Sequence, residues 1–161
     1  LTLRAPAPHD VPALAAFYAS NASRFVGGPM SEAETWRYLC QVLGHWAMRG
    51  YGRWIVTTRD DDTAIGLVGL HYPLDWPEAE VGWYIWSGNG KGYAAEAGRA
   101  ARTHAYKTLG WTTVVSMIAA GNDASVRVAT ALGATRQDDY HHPVYGAMGV
   151  YRHPAPQEIA T

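Results

Sequence analysis

"EVGWYIW-SGNGKG-YAAEAGRAARTHAY", Glu80 to Tyr106, reads as a strand, a glycine loop and a helix. The apolar run Ala79–Trp86 is what a central strand covered on both faces would show. The loop places Gly88, Gly90 and Gly92 within five positions. Each glycine gives up more backbone freedom on folding than any other residue. A tight turn needs one such residue, so three ask for another reason. Glycines ahead of a helix leave successive N–H groups facing a ligand, and the helix dipole adds roughly half a positive charge there. A phosphate or pyrophosphate fits that environment, with Lys91 neutralising part of its charge. The helix is predicted from Tyr93 to about Thr108, stopped at Gly110. Ala94, Ala95, Ala97, Ala100, Ala101 and Ala105 suit it to close packing on a sheet.

Upstream, Leu1–Pro6 alternates as a strand, and Asp10 and Pro12 open a helix to Ala19. Ser31 and Glu34 have capping-box spacing for a helix to Arg49, closed by Gly50. Tyr51–Arg59 and Ala64–Tyr72 read as strands joined by an acidic turn. Downstream come a strand over Trp111–Ala119, a helix capped by Asn122 or Asp123 and ending at Gly133, and closing strands in Ala134–Tyr140 and Tyr145–Arg152. An antiparallel meander therefore leads into one strand–helix–strand crossover. That is a mixed α/β (α+β) architecture rather than a uniform βαβ series. One domain is expected over 1–153, with 154–161 as a tail.

The 161 residues carry a net charge of −1, which argues against nucleic acid as the main partner. No apolar run approaches the roughly 20 residues of a membrane span. The single cysteine, Cys40, forms no internal disulfide, so a reducing, cytoplasmic location is expected. Cys40 shares a helical stripe with Trp36, Leu39 and Leu43 and is read as core. The seven histidines show no metal-ligand spacing, so no metal is expected, and His141–His142 reads as loop surface.

Three phosphate motifs compete for the loop. The P-loop pattern fails, because Gly92 follows Lys91 and position 85 is Ile. The dinucleotide pattern fits Gly90, Gly92 and Ala95, but position 115 is Val where an acid is wanted. The third is the coenzyme A loop of acetyltransferases. Here "GWYIWSGNGKGYAAEA" and "SMIAAGNDASVRVATALGA" together resemble the GCN5-related N-acetyltransferase (GNAT) superfamily. The similarity is greatest to the RimJ/RimL-like branch that acetylates ribosomal-protein N-termini, with its G-K-G-Y-A-x-E-A loop and N-x-x-S-x-x-V-x-x-x-L-G segment. Two departures stand out: Ser87 replaces a frequent Arg or Gln, and the strand-to-loop segment is about one residue short.

That resemblance implies a GNAT fold: a mostly antiparallel sheet of about six to seven strands, a splayed central parallel pair and about four helices. It implies acetyl-CoA as acetyl donor, pairing with the backbone of Tyr84, Ile85 and Trp86. The amides of Asn89, Gly90, Lys91, Gly92, Tyr93 and Ala94 would hold its pyrophosphate. Asn122 would bond coenzyme A, although Asn122 is also a good helix cap. Ser125 would lie near the sulfur and protonate the leaving thiolate, or simply bond a carbonyl of its own helix. The tyrosine many superfamily members use four residues later is Ala129 here.

Glu80 is the first candidate for the base and Glu78 the second. A carboxylate on a buried strand is costly unless paired or used, and burial raises its pKa into a useful range. An ion pair with an arginine such as Arg53 is the alternative. A backbone N–H near Trp83 or Tyr84 would stabilise the oxyanion. The expected activity is acetyl transfer to a primary amine, either a peptide N-terminus or a small molecule. A non-catalytic coenzyme A-binding regulator is the alternative, and a homodimer stays open. The acceptor pocket is expected from the first two helices, "FVGGPM", "HYPLDWPE" and the closing strands, with Trp36, Trp46, Trp54, Trp76 and Trp83 as candidates for its lining.

Overall fold

Ser31 begins its helix as its spacing requires. Its hydroxyl accepts from the Glu34 amide at 3.3 Å, and the Glu34 carboxylate accepts from the Ser31 amide at 2.8 Å. The structure, a computed structural model, describes residues 1–159. In chain order the elements are β1 (Thr2–Arg4), α1 (Val11–Tyr18), α2 (Glu32–Arg49), β2 (Arg53–Thr57), β3 (Gly66–His71) and β4 (Glu80–Ile85). Then follow α3 (Tyr93–Lys107), β5 (Val115–Ala119), α4 (Asp123–Ala131), β6 (Thr135–Arg136), β7 (Tyr140–His142), β8 (Gly146–Arg152) and α5 (Pro156–Ile159). One-turn 3-10 segments cover Pro8–Asp10 and Asn21–Phe25.

The strands form one sheet in the order β1-β2-β3-β4-β5-β8-β6, with β7 also on β8. Every pairing is antiparallel except β4 with β5. The mixed, mostly antiparallel fold is the expected one, with eight strands and five helices among the described residues. The additions are β7 and α5. The segment read as one closing strand breaks between Arg136 and Tyr140, where Arg136 pairs with Asp139 at 2.6 Å. The expected tail makes one helical turn, whose Glu158 carboxylate accepts from the Ala155 amide at 2.7 Å. The last two residues of that tail lie outside the described residues.

The two faces of β4 divide the core by strand alternation. Val81 and Trp83 pack on one side against Ala97, Ala101 and Ala105 of α3 and Leu132 after α4. Those alanines recur every four residues, which lets the helix lie close to the sheet. Tyr84 and Trp86 face the other side, where α1 and α2 bring Leu14, Tyr18, Leu39 and Val42. The stripe of α2 read as core is only partly so. Leu39 is buried together with Thr35 and Val42, whereas Trp36, Cys40 and Leu43 point outward. The helix is apolar on more than one face, and periodicity alone did not say which face meets the sheet.

Candidate active site

The parallel pair opens at a single rung. The Val115 amide donates to the Ala79 carbonyl at 3.2 Å, and Glu80 opposite Val115 is the one register pair of β4 and β5. A regular parallel ladder would next join the Met117 amide to the Val81 carbonyl. Instead the Ser116 hydroxyl donates to the Val81 carbonyl at 2.6 Å, and the Met117 amide donates to Glu80 Oε2 at 3.3 Å. Two side chains thus take both partners of the missing rung and hold the strands apart.

The rest of β4 presents alternate groups to that opening. The Trp86 amide donates to the Ile65 carbonyl at 3.0 Å. By the alternation of an antiparallel ladder, Tyr84 and Gly82 then also turn their amides toward β3. Trp83 and Ile85 turn theirs toward β5, where no backbone partner follows the first rung.

Behind the fork lies a buried relay. His153 Nε2 is 2.9 Å from Ser116 Oγ, and His153 Nδ1 is 3.3 Å from Arg102 Nη1. The Ser116 proton goes to Val81, so His153 must donate from Nε2 and accept from Arg102 at Nδ1. Burial, with Arg102 alongside, pushes the His153 pKa down to about 3, so the ring is neutral.

Glu80 is 5% exposed and pairs with Arg53, whose Nη2 stands 3.1 Å from Oε1. Arg53 Nη1 donates to the Tyr38 hydroxyl at 2.7 Å. Burial raises the Glu80 pKa, and the Arg53 charge opposes that rise. The Trp76 indole also favours the carboxylate, although its Nε1 completes no hydrogen bond.

Two clefts meet at the fork. One, of about 690 Å³, runs from the glycine loop along α4, from Asn122 to Ala131. The other, of about 400 Å³, lies on the α2 side and contains Glu80. Phe25, Val26, Trp83, Tyr84, Asn122 and Ser125 line both. In the loop, Gly88, Gly90 and Gly92 all have φ near +80°. A Cβ at Gly90 or Gly92 would meet no protein atom within 4 Å, so the space before them is free for a ligand.

A family model described as "Acetyltransferase (GNAT) domain" matches residues 1–135. The chain belongs to the GNAT acetyltransferase family. It is similar to an acetyltransferase of Agrobacterium tumefaciens str. C58, at 36% identity and TM-score 0.86, over 95% of this chain and 90% of that one. Its fold is also that of a RimL ribosomal L7/L12 alpha-N-protein acetyltransferase, at 20% identity and TM-score 0.76, over 93% and 91%. The aminoglycoside acetyltransferase AAC(6')-Ib shares it too, at 20% identity and TM-score 0.79, over 97% and 95%.

This GNAT N-acetyltransferase brings most of the sequence-predicted residues to the two clefts. Tyr84, Ile85, Asn89, Gly90, Gly92, Tyr93 and Ala94 line the larger one. Lys91 does not, and its Nζ lies 5.8 Å from the Tyr93 ring. Trp86 is not at the cleft either. Its amide is bonded to Ile65, its indole donates to the Ala64 carbonyl at 3.0 Å, and its ring stacks on Phe17. Asn122 is the cap of α4, its side-chain oxygen accepting from the Ser125 amide at 3.3 Å. The Ser125 hydroxyl has no hydrogen-bond partner among the described residues, so the carbonyl bond weighed for it is absent there. The Arg53–Glu80 pair, weighed as an alternative, is present, and Glu80 lines the second cleft all the same. Glu78 is instead held by Arg152 at 2.7 Å.

The second cleft takes its walls from α2, from Phe25–Met30, from His71, Pro73 and Trp76, and from Val144, Tyr145 and Met148. Of the five tryptophans considered, Trp76 and Trp83 line it. Trp36 is half exposed elsewhere, and Trp46 and Trp54 pack on each other at 5.1 Å. His142 is 1% exposed rather than loop surface. Its Nδ1 accepts from the Val144 and Tyr145 amides, which pulls the ring under the turn. The "FVGGPM" loop brings Phe25 and Val26 to the junction of the clefts, and sequence reasoning missed Arg127 in the larger one. Arg127 had a signal: with Ala124, Val128 and Ala131 it completes a helical stripe at i, i+3, i+4 and i+7. Among the described residues no group of His, Cys, Asp and Glu is arranged to hold a metal, and no helix is long and apolar enough to cross a membrane.

Proposed function

We infer that the chain is an acetyl-CoA-dependent N-acetyltransferase that acetylates a primary amine, a peptide N-terminus or a small molecule. One observation carries this reading: two clefts join at an opened strand pair, with a buried carboxylate on one side and a glycine cradle on the other. The RimL and aminoglycoside acetyltransferase structures that share the fold contain coenzyme A, which agrees with it.

The residues fit that cofactor. The amides of Asn89, Gly90, Gly92, Tyr93 and Ala94, fronted by free space at Gly90 and Gly92, would hold a diphosphate at the N-terminus of α3, whereas the Lys91 amide donates to the Gly88 carbonyl at 3.2 Å. Arg127 adds a positive charge to the same cleft. The Trp83 and Ile85 amides and carbonyls would bond the amide groups of the pantetheine arm as an added strand does. When bound, acetyl-CoA supplies an acetyl group activated as a thioester.

The other steps belong to the protein. An amine arrives at neutral pH as an ammonium ion and must lose a proton to become a nucleophile. Glu80, its pKa raised by burial, takes that proton through a water. Arg53 holds the carboxylate in place and favours its ionised form. The Trp83 amide lies in the opening, where it would stabilise developing oxyanion charge, a contribution of about 3–4 kcal/mol in other enzymes. Ser125, whose hydroxyl is uncommitted, would give its proton to the departing thiolate and regain one from the newly acylated nitrogen. The test is thiol release from acetyl-CoA in the presence of primary amines. Amine-dependent release, reduced about a hundredfold or more in Glu80→Gln, supports the reading. Binding of acetyl-CoA without thiol release to any amine would favour a regulator instead.

A further inference from the structure

A base that works through a water leaves open which group touches the amine itself. The Glu80 carboxylate is buried, and both its oxygens already accept: Oε1 from Arg53 Nη2 at 3.1 Å and Oε2 from the Met117 amide at 3.3 Å. A second polar side chain stands beside it. In the antiparallel register His71 of β3 lies directly opposite Glu80 of β4, and Glu80 in turn lies opposite Val115 at the single rung of the fork. Directly opposite residues share a face of the sheet, with Cβ atoms about 5 Å apart. The next rung of β3 and β4 on that face is Gly69 opposite Gly82, so no side chain rises beside the two groups, and Gly82 lines the cleft with them.

His71 is held in place yet bonds nothing. Its ring stacks on His45 with centres 5.2 Å apart and meets Trp76 edge to face at 5.7 Å. His45 offers it no hydrogen bond, because Nδ1 is taken by the Tyr51 carbonyl at 2.8 Å and Nε2 by the Tyr72 amide at 3.0 Å. Neither ring nitrogen of His71 has a hydrogen-bond partner among the described residues, and neither is one of the buried unpartnered side-chain atoms, which are Arg53 Nε, Trp76 Nε1 and His142 Nε2. Both nitrogens therefore reach open space, and His71 lines the second cleft. Burial, with Arg53 and His45 alongside, takes its pKa down to about 2, so the ring is neutral and carries one N–H and one lone pair. Arg53 and Glu80 are the only charged residues lining that cleft, and they neutralise each other. No surplus anion there fixes an amine in its ammonium form.

We propose that His71 is the residue that receives the acceptor: its unprotonated ring nitrogen accepts a hydrogen bond from the amine and holds it at the base of the fork, while Glu80 takes the proton through a water. Since both nitrogens reach open space, either tautomer presents its lone pair there. His45 and Trp76 fix the plane of the ring, which makes the contact directional. This rests on the transferase reading above.

The experiment measures kcat and KM for phenethylamine, spermidine, kanamycin and trialanine with the whole protein and saturating acetyl-CoA, and follows the best of the four in His71 variants. His71→Phe keeps a ring between His45 and Trp76 and removes both nitrogens. Those nitrogens bond nothing in the protein, so the thermal midpoint and the Kd for acetyl-CoA should stay put. The kcat/KM for the amine should fall about tenfold or more, the worth of a hydrogen bond to a charged partner. His71→Asn and His71→Gln each return one acceptor oxygen, near the place of Nδ1 and of Nε2 respectively, and one of them should recover most of the loss. Equal kcat/KM in wild type and His71→Phe would overturn the role given to His71. A loss that comes with a lowered midpoint, or that neither amide recovers, would make His71 a structural ring and overturn it too. Transfer to none of the four by the wild type, with acetyl-CoA bound, would sink the transferase reading itself and the role of His71 with it.

Discussion

Glu80 has three duties at one position: partner of Arg53, acceptor for the Met117 amide and candidate base. Replacing it by Gln keeps the shape but removes the charge opposite a buried guanidinium. Breaking such a pair costs about 3–5 kcal/mol. Glu80→Gln should therefore lower the thermal midpoint as well as the rate, by roughly 6–20 °C for a chain of this size. A full loss of rate with an unchanged midpoint would mean that the ion pair contributes nothing to the fold. Ser125→Ala is the cleaner variant, because the hydroxyl has no partner to leave behind. It should reduce kcat while the midpoint and the KM for acetyl-CoA stay put, and an unchanged kcat would hand the proton transfer to water. At this scale the sequence was informative wherever one residue's chemistry was unusual for its place. Glu80 was visible as a carboxylate in an apolar strand, and Ser125 as a hydroxyl on a helical stripe. Which of the five candidate tryptophans would line the cleft was harder to see, because an aromatic residue looks alike in a core and in a cleft wall, and only Trp76 and Trp83 do.

The fork is a property of two strands, not of one residue. It exists because Ser116 and Glu80 take the partners of one backbone rung, and His153 and Arg102 hold Ser116 from behind. Ser116→Ala would leave the Val81 carbonyl and the His153 Nε2–H buried without partners. Each such loss costs about 1–3 kcal/mol. The midpoint should fall by roughly 4 °C or more, and an unaltered midpoint would contradict the wedge. The strands and helices themselves were legible: the capping box at Ser31, the glycine stop at Gly50 and the strand–loop–helix around Gly90 stand within about a residue or two of their expected places. The opening was legible only through family resemblance. Its bonds join residues more than thirty positions apart, and nothing local to either strand encodes them. The same holds for which face of α2 turns inward, and for Trp86, whose partner Ile65 lies on the neighbouring strand.

Across the whole molecule, two neutral histidines tie stability to pH. Burial holds His71 at about 2 and His153 at about 3, against about 6.5 in an unfolded chain. Between those values the unfolded state binds more protons, so stability is complete above pH 6.5 and is lost as pH falls below it. Each ring should cost about 2 kcal/mol between pH 7 and pH 5, and the raised pKa of Glu80 offsets part of the sum. Urea unfolding at pH 7, 6 and 5 should show the decline, with a shallower slope in His153→Asn. A flat profile would contradict neutral burial of the two rings.

The glycine cradle is where sequence, fold and family meet, and acetyl-CoA binding tests it directly. Calorimetry of acetyl-CoA into the protein, with NAD as control, should give micromolar affinity for the first and none for the second. Gly90→Ala places a methyl group where only a ligand would stand, at a backbone strain of about 1 kcal/mol. It should weaken acetyl-CoA binding at least tenfold with the fold intact. Absence of acetyl-CoA binding at millimolar concentration, or equal affinity in the folded variant, would contradict the assignment of that loop.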